Sequence, residues 1–452
     1  MGTPAQIATS AAALALCTVA AGSAVLSESK PAELAVTAWP APSGFTTVAQ
    51  RKTRGGDFNG DGYRDIAGKI EGDGVFVIYS GPHGPDPERR QFLTPNTLPG
   101  PPKKPVDFGT ETASADFDHD DYDDLVVTSH SDSGDSPITL VIFYGGEHGL
   151  TDRTVSLKVG STAPKNARVF NLVIGDFGDN GKLDIAVEIE STAVVSFRNV
   201  VDRPVHPEIN LFRPNTPSVS GYPVIGDFTG DGYSDLVVTW SPGPTGGSRA
   251  ELQLGTAQGL STTKTVLADG WIEVDSAVAA DVNGDGKDDL ITPESWDSAT
   301  PPRTPIAISV VLGTDHGLGP RHSFLSPCTQ EIREIAVGCD FEPGKLAVMP
   351  GSPQGIDHAR AVVFEQNTPG MPGRHAGGPD WFGHTVTIGD LNADGMADIA
   401  IMAHPNTGDR GRLFIFPGSA TGPSLQASAM ITGGQLGLPH TACLSLGGSL
   451  LR

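Results

Sequence analysis

The sequence predicts an all-β fold, a seven-bladed β-propeller of four-stranded blades. Three observations lead there. An acidic, glycine-centred loop recurs at spacings of 50 to 60 residues, apolar runs of strand length flank each copy, and Gly (57) and Pro (37) are abundant. Such a composition favours many tight turns between short strands over long helices. A period of this length accommodates one four-stranded unit per repeat, which is a propeller blade and not a solenoid coil.

Six copies of the loop read GDFNGDGYRDI (56–66), ADFDHDDYDDL (115–125), GDFGDNGKLDI (175–185), GDFTGDGYSDL (226–236), ADVNGDGKDDL (280–290) and GDLNADGMADI (389–399). A seventh, CDFEPGKLAV (339–348), keeps the Asp-Phe start and the apolar finish but lacks the polar positions between them. Before a loop stands a run such as YPVIGD or VTIGD, and after it a β-branched run such as DLVVT, so the loop joins two strands. A third strand ends in glycine, as in VFVIYSG (75–81), VIFYGG (141–146), LQLG (252–255), VVLG (310–313) and LFIFPG (413–418). A turn then leads to a fourth run, TVSLKV or TKTVLA.

These features resemble the FG-GAP repeat of the integrin α-subunit N-terminal propeller and the related VCBS-type bacterial repeats. The last unit carries the pattern most fully, with Phe382-Gly383 before its loop and Phe416-Pro417-Gly418 after it, and Phe108-Gly109 supplies a second Phe-Gly step. The resemblance implies blades of FG-GAP type over residues 46–452. It also implies acidic loops on the lower face and ligand recognition on the upper one.

The loops themselves point to calcium. A hard cation of that size takes six to eight oxygens, and carboxylate or amide oxygens at alternate positions fold inward around one centre. In the first copy these are Asp57, Asn59 and Asp61, followed by the Tyr63 carbonyl and by Asp65 from the next strand. The second offers Asp116, Asp118, Asp120, the carbonyl of Tyr122, and Asp124, with Asp121 in place of the turn glycine. The fourth has Asp227, Thr229, Asp231, Tyr233 and Asp235, and the fifth Asp281, Asn283, Asp285, Lys287 and Asp289. The last has Asp390, Asn392, Asp394, Met396 and Asp398. The third has Asp176, Asn180 and Asp184 but Gly178 where a ligand belongs, so five competent calcium sites and a weak or absent sixth are expected. An EF-hand loop begins in the same way but needs a bidentate Glu at position twelve. That position is Gly68, Val127, Val187, Val238, Thr292 or Ile401.

Charge and termini bound the rest. With 53 acidic against 30 basic residues the net charge is −23, which disfavours nucleic acid and anionic membrane as partners. Residues 1–26 read as a signal peptide, uncharged from Ile7 to Leu26 and ending in Gly22, Ser23 and Ala24, although no Lys or Arg precedes the apolar stretch. A linker over 27–45 follows. The expected product is secreted or extracellular, possesses no membrane span after signal removal, and is a monomer. Leu14-Ala15-Leu16 before Cys17 is unlike a lipid-attachment site. Of the remaining cysteines, Cys328 and Cys339 are the expected disulfide and Cys443 the free thiol. LPHTA (438–442) is similar to a sortase motif, but the tail after it is too short to span a bilayer, and this segment is expected to pair with residues 46–51 and close the ring.

No nucleophile elbow, HExxH or phosphate loop occurs, and in GSPQG (351–355) the serine is misplaced. No catalytic residue is assigned. Function is therefore expected on the face opposite the calcium loops, within 94–107, 129–137, 239–249, 293–305, 370–381 and 403–410. Trp240, Trp296 and Trp381 lie in those segments and Trp271 at a junction, where exposed rings would stack on sugars and buried ones would cover blade edges. The leading reading is a non-catalytic extracellular adhesion module for a protein or polysaccharide. The alternative is a secreted hydrolase or lyase working from the upper face.

Overall fold

The structure, a computed structural model, describes residues 55–70, 74–98, 107–130, 138–159, 168–178, 181–189, 193–197, 200, 209–212, 221–240, 249–269, 277–293, 307–325, 345–365, 368–373, 382, 385–403, 411–419, 422–438 and 444–446. Among them the chain is all-β, with multiple antiparallel sheets and no helix longer than the 3₁₀ turns Pro95–Thr97 and His358–Arg360. None of these helices is long and apolar enough to cross a membrane.

Six sheets have four strands each. The second sheet runs Asp107–Ala115, Asp124–His130, Ile138–Phe143 and Thr154–Val159, every strand pairing antiparallel with the next. The third (from Val169–Gly175), fourth (from Gly221–Gly226), fifth (from Val278–Ala280) and seventh (from Thr385–Gly389) repeat this order. The expected loops connect the first and second strands in each. Second strands such as Asp124–His130 and Asp398–Ala403 are buried at every residue, as unbroken β-branched and apolar runs require. Fourth strands alternate: in Thr154–Val159 Leu157 and Val159 are buried while Ser156 and Lys158 face solvent, which blunts an open sheet edge.

The first sheet is completed from the other end of the chain. Its strands are Ile66–Ile70, Gly74–Ile78 and Arg90–Leu93, and Leu444–Leu446 pairs antiparallel with Ile66–Ile70, Gly68 opposite Leu446. The C-terminal segment was expected against residues 46–51, which lie outside the described residues. Its observed partner is the strand after the first acidic loop.

Among the described residues seven apolar cores lie between successive sheets, and the seventh joins the last sheet to the first. Phe58, Val75 and Val77 pack with Phe108 and Leu125 between the first and second sheets, and Phe117 and Val126 with Ile185 and Val187 between the second and third. Phe177, Val194 and Leu236 follow between the third and fourth, and Phe228, Val237 and Leu290 between the fourth and fifth. Val282 and Val310 meet Met349, and Leu346 and Phe364 meet Phe382 and Phe414. Leu391, Met402 and Leu413 then pack on Ile66, Phe76 and Ile78. The first strands of the second to fifth sheets also lie side by side, and Ile66–Ile70 lies beside Asp107–Ala115.

The sixth sheet departs from expectation. Lys345–Val348, expected to follow a decayed loop as a second strand, pairs with Val362–Glu365 and runs into a turn in which Ser352 Oγ donates to the Gly355 carbonyl (2.8 Å). The same bond closes the turn after the third strand elsewhere, from Thr256 to Gly259, Thr314 to Gly317 and Ser419 to Gly422. Lys345–Val348 thus holds the place of a third strand. Cys328, Cys339 and Asp340 lie outside the described residues, as does Cys443.

Candidate metal centres

In the five loops described throughout, two left-handed residues, at the fourth and sixth positions, turn the oxygens inward. Gly60 (φ 68°), Gly230 (72°) and Gly284 (77°) occupy the fourth, with Gly62 (87°), Gly232 (94°), Gly286 (87°) and Gly395 (85°) at the sixth. Where glycine is missing, His119 (59°), Asp121 (70°) and Ala393 (56°) are held in the same conformation. For residues with a Cβ this conformation is strained. Asp121 is exposed, so Asp121→Gly is expected to stabilise the protein by about 1 kcal/mol, measurable as a raised midpoint in urea at unchanged slope. An unchanged or lowered midpoint contradicts the strain.

Side chains then fold onto this backbone in a common pattern. Asp57 accepts from the N–H of Asp61 (3.2 Å) and of Gly62 (2.9 Å), and Asn59 Oδ1 accepts from Asp61 N–H (3.0 Å). Asp61 Oδ1 in turn accepts from Tyr63 N–H (3.2 Å). The pattern repeats at Asp116 and Asp120, at Asp227 and Asp231, at Asp281, Asn283 and Asp285, and at Asp390, Asn392 and Asp394. In these bonds the N–H of Tyr122, Tyr233, Lys287 and Met396 holds the fifth-position Asp as Tyr63 does.

The ninth-position aspartates are the structural hinge of each loop. Asp65 accepts from Phe58 N–H (3.0 Å) with one oxygen and Ser80 N–H (2.9 Å) with the other, tying the loop to the end of the third strand. Asp124, Asp235, Asp289 and Asp398 do the same with Phe117 and Gly145, Phe228 and Gly255, Val282 and Gly313, and Leu391 and Gly418. Burial, only partly offset by these N–H donors, pushes the carboxyl of Asp65 and of Asp124 up to about 8, Asp235 to about 7 and Asp289 to about 6. Repulsion from the first and fifth aspartates, or the third at Asp124, adds to the rise. Asp398 is raised by the same causes.

A cation fits these loops. Carboxylate oxygens of Asp116, Asp118 and Asp120 lie within 4.8 Å of one another, a group able to hold a metal ion. At the third position of two loops an acceptor is buried without a hydrogen bond among the described residues: Asp118 Oδ1 and Thr229 Oγ1. Basic side chains approach from the rim, Arg89 at 3.1 Å from Asp61 and Arg153 at 2.5 Å from Asp118. In the third loop Asp176 accepts the common sixth-position bond from Gly181 N–H (2.9 Å) and a further one from Gly178 N–H (2.9 Å), at the third position, which lacks a ligand side chain. Its Asp184 still accepts from Phe177 N–H (3.3 Å), while Asn180 lies outside the described residues.

The loops are also bonded to one another, through residues that the repeat pattern did not single out. Asp57 N–H donates to Asp123 Oδ2 (2.8 Å), and Asp123 N–H returns a bond to the Asp57 carbonyl (2.9 Å). Asp227 and Asp288 make the same reciprocal pair at 2.8 and 2.9 Å, and Ser234 N–H donates to the Asp176 carbonyl at 2.9 Å. The eighth position of one loop therefore clasps the first position of the loop before it. An acid at that position in a copy with a full ligand set was the available signal.

The third-strand glycine has its reason here too. A Cβ on Gly145, Gly255, Gly313 or Gly418 would stand 2.4 to 2.5 Å from the eighth-position carbonyl of Asp123, Ser234, Asp288 or Ala397. Backbone cannot yield as a side chain can. Gly313→Ala is expected to cost about 1–3 kcal/mol, read from chemical denaturation, and a cost below about 0.5 kcal/mol contradicts the close approach.

These observations define a class: an all-β repeat protein built on linked acidic loops. Residues 227–292, which span the fourth and fifth loops, match the FG-GAP-like repeat family, which supports the FG-GAP/VCBS repeat pattern of the sequence. No curated protein matches it. Among solved structures, an Aleuria aurantia lectin in complex with alpha-methyl-L-fucoside is similar at 11 % identity over 73 % of this chain and 96 % of that one, with a TM-score of 0.32. The V. cholerae biofilm matrix protein Bap1 is similar at 11 % identity over 85 % and 87 %, with a TM-score of 0.23. Neither likeness is large enough to bear on function.

Of the tryptophans expected on the binding face, Trp240 is half-buried against the core between the third and fourth sheets, the blade-edge role. Trp271, Trp296 and Trp381 lie outside the described residues, as do most of the six segments expected to carry recognition.

Proposed function

We propose that the chain is a secreted seven-bladed propeller over residues 46–452, held together by calcium in its first, second, fourth, fifth and last loops. In this reading it is a non-catalytic binding module whose protein or polysaccharide ligand meets the face opposite the loops. The observation that carries the reading is the pairing of one loop geometry with seven successive inter-sheet cores, the last returning to the first sheet. Carboxylates at ligand positions number eighteen of the 53 acids, and they are gathered where a bound cation would relieve their repulsion. The residues that would hold the ion are those at positions one, three, five and nine of each loop, with the carbonyl of the seventh.

The test has two arms. Native mass spectrometry of the mature protein at saturating calcium should count five or more ions, and Asp285→Asn should remove one. A count of zero ends the calcium reading. Calcium-loaded protein is then taken through a glycan array, a panel of extracellular matrix proteins, and esterase, phosphodiesterase and glycosidase assays. Binding without turnover is expected, and turnover would move the assignment to a hydrolase or lyase.

A further inference from the structure

The second acidic loop carries more acid than any other copy. Asp116, Asp118, Asp120 and Asp124 fill its ligand positions, and Asp121 stands where the other five have glycine. A divalent ion balances only part of that charge. The fold sets a cation of the chain's own against the rest.

That cation is Arg153, the residue before the fourth strand Thr154–Val159. Its Nη1 donates to Asp118 Oδ2 at 2.5 Å, and its guanidinium lies over the buried ring of Tyr144, with Cζ 3.8 Å from the ring centroid. The backbone beneath is held as well. Tyr144 N–H donates to the Arg153 carbonyl (3.1 Å), Arg153 N–H to Thr151 Oγ1 (3.3 Å), and Thr151 N–H to the Tyr144 carbonyl (2.8 Å). An arginine stacked on an aromatic face and anchored in this way keeps its fork aimed at one carboxylate.

The same place is basic one sheet earlier. Tyr79 N–H donates to the Arg89 carbonyl (2.8 Å), and Arg89 reaches Asp61 Oδ2 with Nη2 (3.1 Å) and the Ser80 carbonyl with Nη1 (2.8 Å). In later sheets the place is uncharged. Thr151, whose N–H returns to Tyr144, is followed two residues on by Arg153; Ser261, bonded in the same way to Leu254, is followed by Thr263, and Ser424, bonded to Pro417, by Gln426.

Arg153 takes only one oxygen of Asp118. Oδ1 is buried and without a hydrogen bond among the described residues, so the carboxylate can serve the guanidinium and the loop centre at once. Two effects then oppose each other. Holding Asp118 in place favours metal binding, but that side chain is only 17 % exposed and is already ordered by packing. A positive charge on a ligand carboxylate relieves repulsion in the metal-free loop and opposes a second cation beside it, and this effect is the larger.

We propose that Arg153 is a tethered counter-ion of the second loop, which steadies the loop without calcium and lowers its calcium affinity, and that Arg89 does the same in the first. The inference rests on the calcium reading of the loops and adds a regulation to it. Centres in the first two sheets are balanced by an arginine, whereas those of the fourth and last have a neutral residue at that place.

The experiment follows ion counts by native mass spectrometry through a calcium titration of wild type and of Arg153→Gln, which supplies the residue found in the last unit. Asp120→Asn identifies the ion of the second loop as the one it removes. That ion should bind roughly three- to tenfold tighter in Arg153→Gln than in wild type, and in chelator the variant should melt lower. Arg153→Lys keeps the charge without the planar fork and should stay within about twofold of wild type. Unchanged or weaker binding in Arg153→Gln would overturn the proposal, as would equal tightening by Lys, which would show that charge is not the cause. Ions bound with unaltered affinity would remove the counter-ion role alone, whereas a count of zero in every protein would remove the calcium reading and this inference with it.

Discussion

Chelation of calcium is expected to lower the melting temperature by on the order of 10 °C at pH 8 and by much less at pH 5. Each ion bound at a hundredfold excess over its dissociation constant adds about 2.7 kcal/mol to folding stability, and several such sites act together. The pH term follows from the loop carboxyls. Asp65 and Asp124 (about 8), Asp123 and Asp235 (about 7) and Asp289 (about 6) all lie above the ordinary aspartate value of 3.8 in the folded protein. Groups raised on folding contribute stability that is fully present below the unfolded value and is lost as pH rises through the folded one. Metal-free protein should therefore weaken progressively as pH rises from the unfolded value of 3.8 through the folded values of about 6 to about 8. The calcium-loaded form should not, because the ion takes the place of the protons. Melting curves with calcium and with chelator at pH 5, 6, 7 and 8 decide the matter, and parallel pH dependences in the two would show that no ion occupies the loops.

Phe228→Ala is expected to cost about 3–5 kcal/mol, the range for deleting a buried ring and leaving a cavity. Phe228 is fully buried between the fourth and fifth sheets, against Val237, Leu290 and Val311. Its backbone is fixed independently of the ring. The N–H donates to Asp235 (2.9 Å) and the carbonyl accepts from Thr314 (3.1 Å), so the loop cannot readily collapse into the space. Phe58, Phe117 and Phe177 occupy the same position in their own loops, each in the core shared with the following sheet. Denaturant titration in calcium measures the loss. A cost under about 1 kcal/mol would mean that the loop phenylalanines fill space without joining sheets.

Much of this was legible in the sequence because it is local. Ligand oxygens at alternate positions, the glycines that turn them inward, and strands such as Asp235–Trp240 are each written within about ten consecutive residues. Loop and strand periodicity state them directly. Repetition strengthened the reading, since six copies show which positions the turn requires and which are free. The damaged sixth unit was misread for the same reason: with only one apolar run surviving, Lys345–Val348, the pattern does not say whether it is a second strand or a third. The turn at Ser352 and the pairing with Val362–Glu365 do.

The sequence by itself thus determined the all-β class, the FG-GAP-type repeat and the composition of each acidic loop. Tertiary structure alone decided how the units are joined. Asp123 reaches back 66 residues to Asp57, and Leu444–Leu446 pairs with Ile66–Ile70. No local propensity encodes such meetings. They arise when sheets that each bury two faces must find partners on both sides, and that requirement acts between residues far apart in the chain.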